Sequence, residues 1–224
     1  MFDKVLLSEK IANNIKALII EQKLQPGEKL PNEIDLAGQL NVSRSTVREA
    51  IKTLVSKNVL EIRRGKGTYV CENPGIATDP LGVTFMNKKD LLLYLFETRL
   101  IIEPEMAALA AQRATEKNIK ALEEAFHVLE NQILEGKDHT KADIKFHNII
   151  AKSTHNPIIR RIVPIINDSI VEGYQETKDI PESGEKVLGH HRRVLDAILE
   201  KDEAMARQYM REHIQSGMNQ ILQK

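Results

Sequence analysis

Seven histidines occur in this chain, and all lie after residue 126. Asp143 and His147 stand four residues apart, so on a helix their side chains project from one face, a single turn apart. Phe146 and Ile150 flank the pair and would leave it partly buried. His191 begins one late helical run and His213 sits on the last. Neutral imidazole nitrogen and carboxylate oxygen suit a divalent ion of the zinc, nickel, manganese or iron class. A DxxxH pair also arises often by chance, and a lone helical histidine is commonly an ordinary surface or core residue. Spacing alone leaves both readings open. Arg99 has the same ambiguity, because with Glu103 it forms an i, i+4 pair that fits a plain surface salt bridge.

A second chemistry is carried by basic residues near the N-terminus. Ser43, Arg44, Ser45, Thr46 and Arg48 open a helical pattern, with Arg44 and Arg48 on one face. Val47, Ile51 and Leu54 fall on the opposite face. Arg can grip guanine with two hydrogen bonds, and Ser and Thr hydroxyls reach phosphates or base edges. Downstream, Arg63, Arg64, Gly65 and Lys66 cluster between two β-prone pieces. Residues 1–71 hold 12 Lys and Arg against 8 Asp and Glu, and the remainder holds 20 against 24. A basic segment on an otherwise acidic chain of zero net charge suggests a polyanion-binding module beside a domain with another task.

These residues need elements to position them. Apolar residues at helical spacing predict helices over 8–22, from Asn32 to Leu40, and from Ser43 to Lys57, with Asn41-Val42-Ser43 as a tight break. Two short strands, Val59–Ile62 and Thr68–Cys71, enclose the glycine-bearing hairpin tip. Helix, helix, turn, helix, hairpin is the order of a winged helix-turn-helix, whose second helix in the motif enters the major groove. We assign it to residues 1–72. Pro74, Gly75, Pro80 and Gly82 mark a linker over 73–87. Residues 88–224 read as an all-helical ligand-binding and dimerisation domain. Six helices are expected there: 88–113, 116–135, 139–153, 157–177, 184–200 and 202–222. The fold class is mostly α, a winged helix followed by a helical bundle.

A resemblance becomes specific on these residues. The run PGEKLPNEIDLAGQLNVSRSTVREAIKTLVSKNVLEIRRGKGTYV resembles the winged-helix domain of the GntR family of transcriptional regulators, with Pro26, Gly27, Pro31, Glu33, Ser43, Arg44, Arg48, Gly65 and Gly67 matching in order and spacing. It implies base or phosphate contacts for Arg44, Ser45, Thr46, Arg48 and Gly65. The position after Glu33, commonly Arg in the family, is Ile34, and no contact is carried over there. Asn41 replaces the usual turn glycine and also tolerates a left-handed backbone.

The segments ETRLIIEPEMAALAA, ADIKFHNIIAKSTHNPII and HRRVLDAILEKDEAMARQYMREHI resemble the effector domain of the FadR subfamily, called FCD. In metal-containing members an Asp-x3-His and two later histidines converge inside a bundle. That resemblance implies Asp143, His147, His191 and His213 as ligands, and the register of RRVLDAI prefers His191 to its neighbour His190. It also implies that Arg99 faces the pocket and helps hold an acidic effector. One carboxylate and three neutral imidazoles around a dication, zinc in the protein as purified, leave a net charge of +1 and open positions for a carboxylate or sugar acid. The expected partners are double-stranded operator DNA with paired half-sites, a small organic acid, and a second copy of the chain in a homodimer.

Other classes fit less well. A single cysteine, Cys71, excludes an internal disulfide framework and fits a cytoplasmic location; it reads as a packing residue. No apolar run approaches the length of a membrane span, and the first residues lack a signal-peptide core. No HExxH or paired glutamates with a clear base role support a metalloenzyme. A helical domain that binds metal structurally, or serves only dimerisation, is the remaining alternative.

Overall fold

The computed structural model describes residues 7–22, 24–77, 79–174 and 184–222. The chain divides into two compact units, Met1–Pro80 and Leu81–Lys224.

In the first unit, α1 (Leu7–Glu21), α2 (Glu33–Leu40) and α3 (Arg44–Ser56) precede an antiparallel pair, β1 (Leu60–Arg63) and β2 (Gly67–Val70). Asn32 caps α2, its Oδ1 accepting from the Ile34 and Asp35 amides at 2.9 and 3.0 Å. Asn41 ends α2 in the left-handed region at φ 51°, where its short polar side chain is tolerated. The next helix starts three residues later, because Ser43 caps it by accepting from the Thr46 amide at 3.2 Å. The turn between α2 and α3 is therefore set by two capping residues rather than by a glycine. Ile11, Ile15, Leu36, Val47, Ile51, Leu54, Leu60 and Val70 form one buried cluster that fixes α3 against α1 and the hairpin. The hairpin pairs Arg63 with Gly67, leaving residues 64–66 as its tip, with Gly65 at φ 72°. Cys71 is buried at the end of the wing, and burial pushes its thiol pKa up.

The second unit is helical: α4 (Lys88–Arg113), α5 (Glu116–Leu134), α6 (Thr140–Ser153), α7 (Ile159–Tyr174), α8 (Gly184–Leu199) and α9 (Glu203–Leu222). Thr115 caps α5 through a reciprocal capping box with Asn118. Asn156 caps the start of α7, its Oδ1 accepting from the Ile158 and Ile159 amides. The last residues of the helix expected over 157–177 lie outside the described residues. A core of Met106, Leu122, Phe126, Phe146, Ile150, Leu195 and Met210, all 2% exposed or less, joins α4, α5, α6, α8 and α9. A smaller cluster packs Val83 with Leu91, Leu92 and Leu95 of α4 and Ile166 and Ile170 of α7. Val83 lies in a single 3-10 turn, Val83–Phe85, so the segment expected as a linker carries a short structured piece. At Gly217 a Cβ would stand 2.5 Å from the Phe96 ring, so α9 approaches α4 closely there.

Brief subtilisin treatment should cut first between Asn73 and Asn87, a stretch without Lys or Arg, releasing two folded fragments. First cleavage inside α5 would contradict this division.

Candidate metal centre and DNA-reading face

The bundle brings four ligand-type side chains to one place. Asp143 and His147 lie one turn apart on α6, His191 lies mid-way along α8, and His213 lies on α9. One ligand atom from each lies within 4.8 Å of all the others. His191 Nε2 stands 2.7 Å from Asp143 Oδ1, and His147 Nε2 stands 3.9 Å from the same oxygen. The Nε2 atoms of His147 and His213 are 3.1 Å apart. His147 and His191 have no exposed surface, whereas Asp143 keeps 22% of its side chain open to solvent. His213 is half-buried as well, so the cluster opens on the side of Asp143 and His213. Phe146 forms an apolar wall, edge-on to the rings of His191 and His147 at 5.1 and 5.9 Å.

The donor set can be tested on one atom. His191 Nδ1 donates to the Val187 carbonyl at 2.8 Å, which leaves Nε2 with a lone pair. That Nε2 is buried and has no hydrogen-bond partner, although Asp143 Oδ1 stands 2.7 Å away. An unpartnered lone pair aimed at a carboxylate oxygen is the arrangement that a shared cation satisfies. Ligands bound at about 2.0–2.2 Å around one ion lie roughly 3–4 Å apart, a range that holds the 3.1 and 3.9 Å separations here. The residues fit a divalent metal.

His190, adjacent to His191, falls outside the cluster, with its ring 5.9 Å from that of His213. Arg99 is only 4% exposed. It does pair with Glu103, Nε to Oε1 at 2.5 Å, but the pair is buried, so the surface salt bridge is not what forms. Arg99 Nη2 also reaches within 3.3 Å of His147 Nε2, which places the guanidinium at the edge of the cluster. Glu103 is the residue that sequence reasoning overlooked. It is 1% exposed, and its Oε2 lies 2.5 Å from His147 Nδ1. The i, i+4 spacing from Arg99 was its only local signal, and that spacing reads equally as a surface pair.

Electrostatics favour ionised carboxylates at Asp143 and Glu103 and a neutral His213. Burial raises the Asp143 carboxyl, but His147, His191 and Arg99 outweigh it and hold it well below the usual carboxylate range. Burial likewise opposes ionisation of Glu103, yet Arg99 and His147 bring its pKa down to about 2. His213 is pushed well below the ordinary imidazole value, first by burial and then by His191 and His147.

On the first unit, Arg44, Ser45 and Arg48 are exposed on α3, and Thr46 is half-buried. Two expectations change in detail. Ser43 is engaged as the helix cap, with Ser45 and Thr46 hydroxyls at 2.7 and 2.8 Å from its own. Arg48 is held across the motif by Glu33 of α2, Nη2 to Oε2 at 2.8 Å. No local pattern signals a contact between residues 15 apart. At the wing, Arg63 pairs with Glu61 and stacks over Tyr69 at 4.2 Å, while Arg64, Gly65 and Lys66 form the exposed tip.

A helix-turn-helix with a basic wing, joined to a helical bundle around a polar cluster, defines a DNA-binding transcriptional regulator with an effector domain. Residues 7–70 match the family model described as bacterial regulatory proteins, gntR family, and residues 94–216 match the FCD domain. The chain belongs to the GntR family. It is similar to a solved Streptococcus agalactiae GntR structure, with 36% identity, a TM-score of 0.85, and coverage of 95% of this chain and 99% of that one. Among curated relatives, the HTH-type transcriptional regulator LutR of Bacillus subtilis is 29% identical, covering 88% of this chain and 93% of its own. The galactonate operon transcriptional repressor of Escherichia coli is 27% identical, covering 90% of each. These relatives are regulators, and this chain is a regulator rather than an enzyme.

Acid should weaken the metal-free bundle. His213, Asp143 and Glu103 all bind fewer protons folded than unfolded, so stability rises with pH between each folded and ordinary value. The His213 contribution is present above about 6.5 and lost as pH falls below it, with a limiting slope of about 1.4 kcal/mol per pH unit. The Glu103 contribution disappears only between 4.5 and about 2. In chelator, the urea midpoint of the full chain should fall from pH 7 to 5; a flat or rising midpoint would contradict these assignments.

Proposed function

We propose that this regulator senses a small organic or sugar acid through one divalent ion held by Asp143, His147, His191 and His213, zinc in the protein as purified. The observation that carries the reading is the convergence of four ligand atoms within 4.8 Å, with the His191 Nε2 lone pair otherwise unpartnered. When bound, the ion supplies a charged anchor for a carboxylate oxygen. The protein supplies the rest. Asp143 and His213 leave the cluster partly open to solvent, Phe146 walls it on another side, and Arg99 stands beside His147 as a second anion-binding group. A relative whose regulated operon handles galactonate, a sugar acid, supports an acid as effector.

The DNA reading rests on α3 and the wing tip. Ser43, Arg44, Ser45, Thr46 and Arg48 begin the recognition helix, and Arg63, Arg64, Gly65 and Lys66 form the wing. One reading head per chain implies a homodimer on paired half-sites. Acid binding would then alter the fit of two heads to one operator. No helix among the described residues is long and apolar enough to cross a membrane, and a cytoplasmic site of action accords with this role.

Arg48→Ala should weaken binding to the cognate operator by roughly 1–3 kcal/mol, as measured by titration, with little change on unrelated DNA. Lys66→Ala should weaken binding to both and flatten the salt dependence. Equal affinity of Arg48→Ala and wild type on the operator would remove α3 from the reading role.

His147→Ala should lose zinc at ordinary concentrations, since deleting a ligand costs more than the ~10–100-fold of an outer partner. An effective acid should raise the thermal midpoint of zinc-loaded wild type only. An equal rise in the metal-free protein would make the ion structural and overturn the sensing scheme.

A further inference from the structure

We infer that Glu103 is a positioning residue that locks His147 in the tautomer a metal ion requires. The inference rests on the proposed metal site and adds a residue outside its ligand set. Both carboxylate oxygens of Glu103 are committed inside the bundle. Oε1 accepts from Arg99 Nε at 2.5 Å, and Oε2 stands 2.5 Å from His147 Nδ1 and 3.4 Å from Arg99 Nη2. Arg99 can only donate, whereas a carboxylate can only accept. A neutral His147 facing that carboxylate therefore carries its proton on Nδ1 and presents a lone pair at Nε2. Nε2 is the atom that lies 3.1 Å from His213 Nε2 and 3.9 Å from Asp143 Oδ1, and Arg99 Nη2, a donor 3.3 Å from it, favours the same tautomer.

Two residues donate to Glu103, Arg99 from α4 and His147 from α6, so only an acceptor-only group serves both. An amide at this position fails in either orientation. With its oxygen toward Arg99, its NH2 donates to His147 Nδ1 and moves the proton to Nε2, where it blocks the metal. Turned over, its NH2 opposes the Arg99 Nε–H in a buried site, which leaves donors unpaired. His191 reaches the same tautomer by a separate route, through the Val187 carbonyl, and does not touch Glu103 in this scheme. The two histidines thus differ in what holds them, and His191 is an internal control.

The test is Glu103→Gln in the full chain, with histidine labelled with 15N, stripped of metal, at about pH 8, above the unperturbed imidazole pKa. Long-range 1H–15N spectra report the tautomer of each ring, and chelator competition reports zinc affinity. In wild type His147 should be the Nδ1–H form. In Glu103→Gln it should gain the Nε2–H form while His191 stays unchanged, and zinc affinity should drop about 10–100-fold. Glu103→Asp keeps two accepting oxygens and should retain the Nδ1–H form, which keeps the test decisive if Glu103→Gln does not fold. An unchanged His147 tautomer in Glu103→Gln, a shift to Nε2–H in Glu103→Asp, or unchanged zinc affinity despite a tautomer shift would overturn the inference. Wild type that binds no zinc while Glu103→Gln still moves the His147 proton would overturn the metal reading and leave the tautomer lock standing.

Discussion

A carboxylate and three imidazoles share the centre of an apolar helical bundle, a placement that costs free energy unless each polar atom finds a partner. The rest of the effector domain is arranged around that constraint. α4 brings Glu103 and Arg99 to His147, α8 turns its own Val187 carbonyl toward His191, and α6 places Asp143 a turn from His147. Glu103 and the Val187 carbonyl meet the Nδ1 atoms of His147 and His191, so their Nε2 atoms face the cluster, where Arg99 Nη2 also stands 3.3 Å from that of His147. Phe146 and the surrounding core keep water from competing on the closed side, where His147 and His191 have no exposed surface.

The DNA-binding unit solves a different problem, that of presenting charge without losing its geometry. Buried Val47, Ile51 and Leu54 fix the inner face of α3, so the basic face has one orientation. Glu33 then holds Arg48 across the motif, which limits the rotamers that a long side chain would otherwise sample in solvent. Such an exposed pair adds little stability, and its value lies in aiming the guanidinium. At the wing, Glu61 and Tyr69 do the same for Arg63, while Arg64 and Lys66 stay outermost as charges suited to phosphate.

Most of the elements were legible because local rules govern them. The expected helix 88–113 is α4 itself, and the spans over 116–135, 139–153, 184–200 and 202–222 differ from the observed helices by one residue at most at either end. Caps mark several helix limits chemically: Thr115 for α5, Asn156 for α7, and Asn32 with the left-handed Asn41 for α2. The four clustered side chains were named through family resemblance, since spacing alone joined only Asp143 to His147. What stayed hidden depends on contacts between distant segments. The i, i+4 pattern of Arg99 and Glu103 looks identical on a surface helix and on a buried one, and only packing against α6 reveals that Glu103 serves His147. The Glu33–Arg48 pair and the burial of Val83 in a turn before α4 have the same origin.

The central claim is that metal and acid act on DNA binding together, through one site. Operator affinity measured in four states, with and without zinc and with and without a candidate acid, tests it as a thermodynamic cycle. The account predicts that the acid changes operator affinity only when zinc is present, and that His147→Ala abolishes the change while still binding operator. An equal acid effect in zinc-free protein, or in His147→Ala, would contradict it.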